Sequence, residues 1–467
     1  MKKKKPIARP QPADRTIRTK PGRELSDNPR QVAFRVLKET GGERGLTPEE
    51  ALAAEGLLLS PRDLGLTTAL VYEVLRHRSF LTWLARSRLS RGRAGPELLL
   101  ALELGLAQLL FFDRLGEHAV VSETVALAKT VVPGRQGLVN AILRGLLRDK
   151  ISGAEWPPEP PKGPDPARNL ALKFSYPHWW ARRLLNSFGE TEAAAIMAAG
   201  NAPTPPTLRL NPLKGSREEL QKLLPFETRP TELSPWGLVA LEFSGRPEDW
   251  PGFAEGRFAV QDEASQLVGL LAGLLPPQAA VLDACAGLGG KALNLAALNP
   301  AANVLARDKE AGRLARLTRE AARLGLHNIQ TEAGDLLTDP LPPKLFDLVV
   351  VDAPCSGLGV VRRRPDLKWK KTADDPARLA ELQRRLLTAA AHAVGPGGRM
   401  LYGVCTFTEE EGPGVVRNFL SDRADFQVAP PEAWPEVLRP RLSPSGLTLM
   451  PHHHLTDGFF WAMFQKK

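Results

Sequence analysis

Strand-like runs that do not alternate with polar residues limit what this chain can fold into more than any other feature. They are AAVLDAC (279–285), NVLARD (303–308), FDLVVVDAP (346–354) and GRMLYGVC (398–405), with IQTEAGD (329–335) among them. A continuously apolar strand is covered on both faces, the situation of a parallel sheet between layers of helices. The intervening segments KALNLAAL, AGRLARLTREAARLG and ARLAELQRRLLTAAAHAV have helical spacing. Strands alternating with helices predict an α/β, Rossmann-like core over residues 256–467, with GFFWAMFQ (458–465) as its closing strand.

The chain is too long for one core, so two or three domains are expected in its 467 residues. Residues 27–150 show apolar positions at three- and four-residue spacing, as in ELLLALELGLAQLLFF, and read as an all-α bundle. The stretch WPPEPPKGPDP cannot be helix or sheet, because each proline lacks a donor and fixes φ; residues 151–167 read as a stiff linker. Residues 168–255 mix helical and strand-like segments and predict a small α+β unit. No internal repeat is visible.

Net charge is +10, but residues 1–30 hold ten Lys/Arg against three acids, so most of the surplus sits in a tail. Residues 1–26 have no periodicity and read as disordered, either a solubilising arm or a nucleic-acid-binding one. No apolar stretch reaches the roughly 18 residues a membrane span needs. The basic N-terminus has no apolar run after it and so is not a secretory signal. Three cysteines cannot build a disulfide framework, which points to a reducing cytoplasm.

In doubly wound sheets ligands bind beyond the carboxyl ends of the strands. The first such loop, DACAGLGGK (283–291), is glycine-rich and leads into a helix, so Gly287, Gly289 and Gly290 allow a ligand near the backbone. It is neither GxxxxGK[ST] nor GxGxxG. Asp308 follows Asp283 by 25 residues, and Asp335 and Asp352 stand at the ends of the next strands. A single strand-end aspartate equally reads as a helix cap. Four of them beside a glycine-rich loop favour a nucleoside, and S-adenosylmethionine fits, having a ribose, an adenine and a sulfonium but no phosphate. Cys285, Cys355 and Cys405 fall at the same sheet edge. A lone cysteine is usually a small buried hydrophobe. With no CxxC, and with His452–His454 distant in sequence, no metal centre is expected.

Together DACAGLGGK, DAPCSGLGVVRRRPDLKW, LQRRLLTAAA with PGGRMLYGVCTF, and DGFFWAMF resemble the Nop2/Sun family of RNA cytosine-5 methyltransferases. VQDEASQL (260–267) and LRLNP (208–212) resemble that family's entry segments. In the helical region, HAVVSETVALAK and GLVNAILRGLLR resemble an RNA-binding domain of the NusB type. This pairing is similar to that of bacterial cytosine-5 methyltransferases acting on 16S (small-subunit) ribosomal RNA, and the resemblance covers about residues 28–467.

The resemblance implies transfer of a methyl group from S-adenosylmethionine to carbon 5 of a cytosine, through a cysteine bonded transiently to carbon 6. It makes Cys405 the nucleophile and gives Cys355 a part in product release. DNA cytosine-5 methyltransferases attack with a Pro-Cys cysteine, and by that analogy Cys355 would be the nucleophile. Asp352 would hydrogen-bond the cytosine edge. The cofactor side would comprise Cys285, Ala286, Gly287, Leu288, Gly289, Gly290 and Lys291 with Asp308, Asp335 and Asp352. Cys285 would be structural, and Lys291 would lie near the methionyl or substrate side, its alternative being an ordinary surface lysine. Two departures stand out: Gly287-Leu288 replaces the family's Ala-Pro, and Val404 precedes Cys405 where a hydroxyl residue is usual. The implied partner is small-subunit ribosomal RNA, with no membrane and no metal; the sequence does not give the oligomeric state, a monomer being favoured. The same chemistry on transfer RNA or another RNA, and a non-catalytic RNA-binding assembly factor, remain as alternatives.

Overall fold

The computed structural model describes residues 28–40, 45–56, 59–89, 94–339, 341 and 345–467. The expected disordered tail over 1–26 lies outside them. Among the described residues no helix is long and apolar enough to cross a membrane.

The first part is all helical: α1 (Pro29–Thr40), α2 (Pro48–Glu55), α3 (Pro61–Ser87), α4 (Pro96–Phe111), α5 (Glu117–Val131) and α6 (Gln136–Ile151). Helix α4 is apolar around its whole circumference because it runs through the middle; residues 98–108 are all buried. Its two polar interior residues are satisfied, Gln108 by the Arg30 guanidinium at 2.7 Å and Glu103 by the Thr82 hydroxyl at 2.5 Å. Helix α3 departs from helical geometry at His77 (φ −115°, ψ 17°).

After the proline-rich coil come α7 (Pro166–Lys173) and α8 (His178–Asn201), then β1 (Thr207–Leu210), α9 (Arg217–Leu223), β2 (Thr228–Pro230), β3 (Gly237–Ala240) and β4 (Phe258–Val260). These strands form an antiparallel sheet in the order β2-β3-β1-β4. The boundary expected at 255/256 therefore falls inside this sheet. Its fourth strand is only three residues long, too short to show which sheet it joins by its own pattern.

The rest comprises α10 (Glu263–Ala272), β5 (Ala280–Asp283), α11 (Gly290–Leu298), β6 (Asn303–Asp308), α12 (Ala311–Leu324), β7 (Ile329–Ala333), β8 (Phe346–Asp352), α13 (Leu367–Lys370), α14 (Asp375–Ala391), β9 (Val394–Val404), α15 (Pro413–Asp422), β10 (Phe426–Val428), β11 (Leu442–Ser443), β12 (Gly446–Leu449), α16 (Pro451–His454) and β13 (Phe459–Lys466). The sheet order is β11-β12-β13-β9-β8-β5-β6-β7, with β10 also paired to β13. The stretch β9-β8-β5-β6-β7 is parallel as expected. The closing strand β13 is antiparallel to β9, so the sheet is mixed. It follows β12 through a short connection, and a parallel placement would need a full crossover.

The apolar runs are explained by two covering layers. In β8, Leu348 and Val350 face one core with α10, α11 and α12, and Val349 and Val351 face the other with α14 and α15. The chain winds outward from β5 through β6 to β7, then returns to β8 on the other side of β5. That reversal opens a crevice at the carboxyl ends of β5 and β8.

Candidate active site

A cavity of about 430 Å³ occupies this crevice, within the range of small-molecule sites. Its walls include Cys285, Gly287, Asp308, Asp335, Asp352, Cys355 and Cys405. Seven residues expected at the site from sequence thus face one space. Ala286, Leu288, Gly289, Gly290 and Lys291 do not line it.

The glycine-rich loop presents its backbone. Gly287 has φ +56°, and a side chain there would meet nothing within 4 Å, which leaves room for a ligand against the loop. Asp308 grips the loop: its Oδ2 accepts the Gly287 N–H at 2.8 Å and its Oδ1 accepts the Glu310 N–H at 2.9 Å. Asp308 thus makes a turn just before α12, whose N-cap position is Glu310, and also lines the cavity. Asp335 lies two residues beyond the end of β7, and its Oδ1 accepts the Leu337 N–H at 2.9 Å. Carboxylates on one wall, an open glycine and an apolar wall from Leu336, Leu382 and Leu386 suit a nucleoside with a sulfonium, so the donor set fits S-adenosylmethionine.

Lys291 is not a surface lysine. It is the second residue of α11, its side chain is 8% exposed, and its ammonium makes an ion pair with Asp352 Oδ2. It also lies over Phe459 and Trp461, 5.2 and 5.7 Å from the ring centroids. Asp283, at the end of β5, is wholly buried, with the backbone amides of Cys285 and Ala292 turned toward its carboxyl. Burial, and then the nearby Asp352 charge, push its pKa up to about 7.

A pH dependence follows from Asp283. Its pKa is raised on folding, so between about 4 and 7 the native state holds a proton that the unfolded chain has lost. Stability therefore falls as pH rises through that window. Asp283→Asn is expected to flatten this part of the stability-versus-pH curve. It is also expected to gain on the order of a few kcal/mol over wild type at pH 8, since each tenfold change in proton affinity is worth about 1.4 kcal/mol. Urea melts at several pH values measure it, and parallel wild-type and variant curves would sink the expectation.

The two loop cysteines converge. Cys355 Sγ and Cys405 Sγ are 2.9 Å apart, unbonded, and at the cavity wall. The hydrogen bond with Cys405, then burial, push the Cys355 thiol well up from its ordinary value. Cys285 is also pushed up, by burial and then by Asp283. Val404 cannot supply a hydroxyl, because it points into the sheet core and pairs with Phe460. A hydroxyl instead follows the thiol: Thr406 Oγ1 accepts from Ser356 Oγ at 3.3 Å.

Sequence reasoning missed the residues that hold these loops together. Buried Glu411 accepts the Ser356 N–H at 2.7 Å, the Gln383 amide at 3.0 Å and the Thr408 hydroxyl at 3.1 Å. Gln383 also donates to Pro354 O at 2.9 Å. The Pro-Cys loop and the Cys405 loop are thus tied to one carboxylate. Gln383 inside an otherwise charged and apolar helix was the available signal. Gly359 is the second anchor: its N–H donates to Cys405 O at 3.0 Å, and its carbonyl accepts the Gly458 N–H at 2.9 Å. A Cβ there would stand 1.9 Å from Gly458 O, so only glycine lets the three strands of backbone meet. Arg363 completes the frame, donating to both carboxylate oxygens of Asp457 at 3.1 Å and to Asp262 Oδ2 at 2.5 Å.

His452 and His453 both reach Glu192 Oε1 through Nε2, at 2.5 and 2.9 Å, and so join α16 to α8.

A doubly wound sheet with a nucleoside-sized cavity at its switch point, walled by strand-end acids, defines an S-adenosylmethionine-dependent methyltransferase. Comparison with known proteins makes this narrower. Residues 273–465 match the family described as 16S rRNA methyltransferase RsmB/F, residues 27–148 the NusB family, and residues 176–245 the ferredoxin-like domain of RsmF/B-like methyltransferases. A Synechocystis protein named probable ribosomal RNA small subunit methyltransferase B is 34% identical over 94% of this chain and 99% of its own. The Vibrio cholerae ribosomal RNA small subunit methyltransferase B is 33% identical over 91% and 94%. The crystal structure of PH0851 shares the fold, with a TM-score of 0.74 over 95% of this chain and 100% of that one, at 24% identity. The chain belongs to the RsmB/F family of 16S rRNA methyltransferases, with a NusB-like domain at its N-terminal side and S-adenosylmethionine as cofactor.

Proposed function

We propose that this protein methylates carbon 5 of a cytosine in 16S ribosomal RNA through a covalent cysteine adduct. The observation that carries the reading is the pair of thiols 2.9 Å apart at the cavity wall, beside Asp352. Cytosine carbon 5 is a weak nucleophile, and addition of sulfur at carbon 6 makes it an enamine carbon. The two sulfurs lie close enough to share a proton, so one can serve the other as it attacks or leaves. The likeness to the family's motif at the end of β9 supports Cys405 as the attacking sulfur.

The steps balance as follows. The Cys405 thiolate forms a bond to carbon 6, and the ring's double-bond electrons then form the new bond from carbon 5 to the methyl group. When bound, S-adenosylmethionine supplies that methyl group and leaves as the thioether. A water molecule in the cavity then takes the carbon 5 proton, the electrons of that C–H bond re-form the carbon 5–carbon 6 double bond, and the carbon 6–sulfur pair returns to sulfur as the thiolate; Cys355 is assigned to this release. Asp352, held by Lys291, faces the cavity where it can accept from the cytosine amino group. The substrate base must leave its stack to reach this depth. The small antiparallel sheet and the helical domain hold the flanking RNA, largely through phosphate contacts. The family membership and the names of the relatives support ribosomal RNA over transfer RNA, and the cytoplasm as its location.

Mapping 5-methylcytosine by bisulfite sequencing in cells with and without the protein tests this. Loss of the mark at one cytosine of 16S RNA is expected. An unchanged ribosomal map with a mark lost from transfer RNA would move the substrate, and no lost mark anywhere would end the proposal.

A further inference from the structure

The break in α3 at His77 lies within the helical turns that would pair Ser79 N–H with Leu75 O and Phe80 N–H with Arg76 O. All four of these groups have partners outside the helical domain. Trp369 Nε1 donates to Leu75 O at 2.7 Å, and Lys368 Nζ donates to Arg76 O at 3.0 Å. Ser175 Oγ accepts from Ser79 N–H at 2.9 Å and from Phe80 N–H at 3.4 Å. Such a match is a built joint, since a broken helix otherwise leaves costly unpaired peptide groups.

Lys368 is completely buried there. Its ammonium also donates to Ser175 O at 3.3 Å and Asn201 Oδ1 at 2.5 Å, and lies 4.0 Å from the centre of the Tyr176 ring. Burying an ammonium on neutral acceptors costs stability, and burial pushes its pKa well down. Beside it, Lys370 Nζ donates to Leu46 O at 2.8 Å, and Arg76 Nη2 donates to Arg362 O at 3.3 Å.

The other end of this segment is the cavity wall. Cys355, Ser356, Gly357, Val360, Arg364 and Leu367 all line it. One peptide bond therefore separates the wall, at Leu367, from the anchor in the helical domain, at Lys368.

We infer that the NusB-like domain is a structural part of the cofactor pocket: Lys368 and Trp369 are positioning residues that hold segment 355–367 as the cavity wall. Ligand binding in the cavity and closure of the α3 kink are then coupled, and the coupling acts in both directions. The inference rests on the cofactor occupying this cavity and needs no assumption about the base or carbon methylated.

Hydrogen exchange on the full chain, with and without S-adenosylhomocysteine, tests it. The ligand is expected to slow exchange of the Ser79 and Phe80 amides severalfold, although neither residue lines the cavity. Lys368→Met is expected to weaken S-adenosylhomocysteine binding on the order of tenfold by calorimetry and to erase that response, with ribosomal RNA affinity held within about twofold. Trp369→Phe keeps an aromatic side chain but removes the indole N–H donor, and is expected to give a smaller loss of the same kind; it decides the matter should Lys368→Met fail to fold. Ligand binding to wild type without any change at Ser79 and Phe80, or folded variants with wild-type ligand affinity, overturns the inference. A wild-type chain that does not bind the ligand overturns both it and the cavity assignment, so the two failures are distinguishable.

Discussion

On the proposed mechanism, replacing Cys405 with alanine is expected to abolish methyl transfer, lowering kcat on the order of 10⁴-fold or more, because the sulfur assigned to attack is removed. The same variant forms no covalent complex with RNA. Cys355→Ala is expected to behave differently: it keeps the nucleophile and accumulates a protein–RNA adduct stable to denaturing electrophoresis, since release is what fails. Cys405 packs only partly against the sheet core and faces the cavity, so alanine leaves the fold intact. Cofactor binding by calorimetry should therefore stay within about threefold in both variants, as the sulfurs add little to cofactor affinity. Adduct formation by the Cys405 variant and none by the Cys355 variant would exchange the two roles.

The second large effect is expected at Lys291. Its ammonium is the counter-ion of Asp352 and acts on the buried carboxyl of Asp283. Lys291→Met keeps an unbranched apolar stem but removes the cation, together with its place over the Phe459 and Trp461 rings. Two carboxyls then share one poorly solvated region, and one of them takes up a proton. Activity is expected to fall about 10²- to 10³-fold at neutral pH, the scale of losing a positioned charged group at a reacting centre. The sign of the pH effect is definite: losing a positive neighbour raises a carboxyl pKa, so the acid limb of the kcat profile moves to higher pH. A variant with wild-type kcat and an unmoved profile would show that the pair is structural only.

Much of this site was legible in the chain. Strand ends could be placed because apolar runs and the residues that stop them are local patterns. Once β5, β6, β8 and β9 were placed, their carboxyl ends had to lie along one edge, and Cys285, Asp308, Asp352, Cys355 and Cys405 came with them. VQDEASQL, RRRPD and TDGFF were visible as separate pieces, and their meeting at Arg363 was not. Nothing in a short window says that Asp262, Arg363 and Asp457 share an ion network. The Glu411 network was hidden for the same reason, since its partners include Ser356 of the Pro-Cys loop and Gln383 of α14, far away in the chain.

The chain alone determined the sheet, the side of it that carries chemistry, and the acids and thiols that stand there, because period and run length act between neighbours. Only the folded molecule decided that Lys291 is buried against Asp352, that the Cys355 and Cys405 sulfurs meet, that β13 runs antiparallel, and that Lys368 and Trp369 bond to the helical domain at the α3 kink. Each of those depends on desolvation or pairing between groups far apart in the chain: Lys291 and Asp352 lie 61 residues apart, and Lys368 and Arg76 lie 292 apart. Local sequence cannot encode the dielectric that a distant segment will impose.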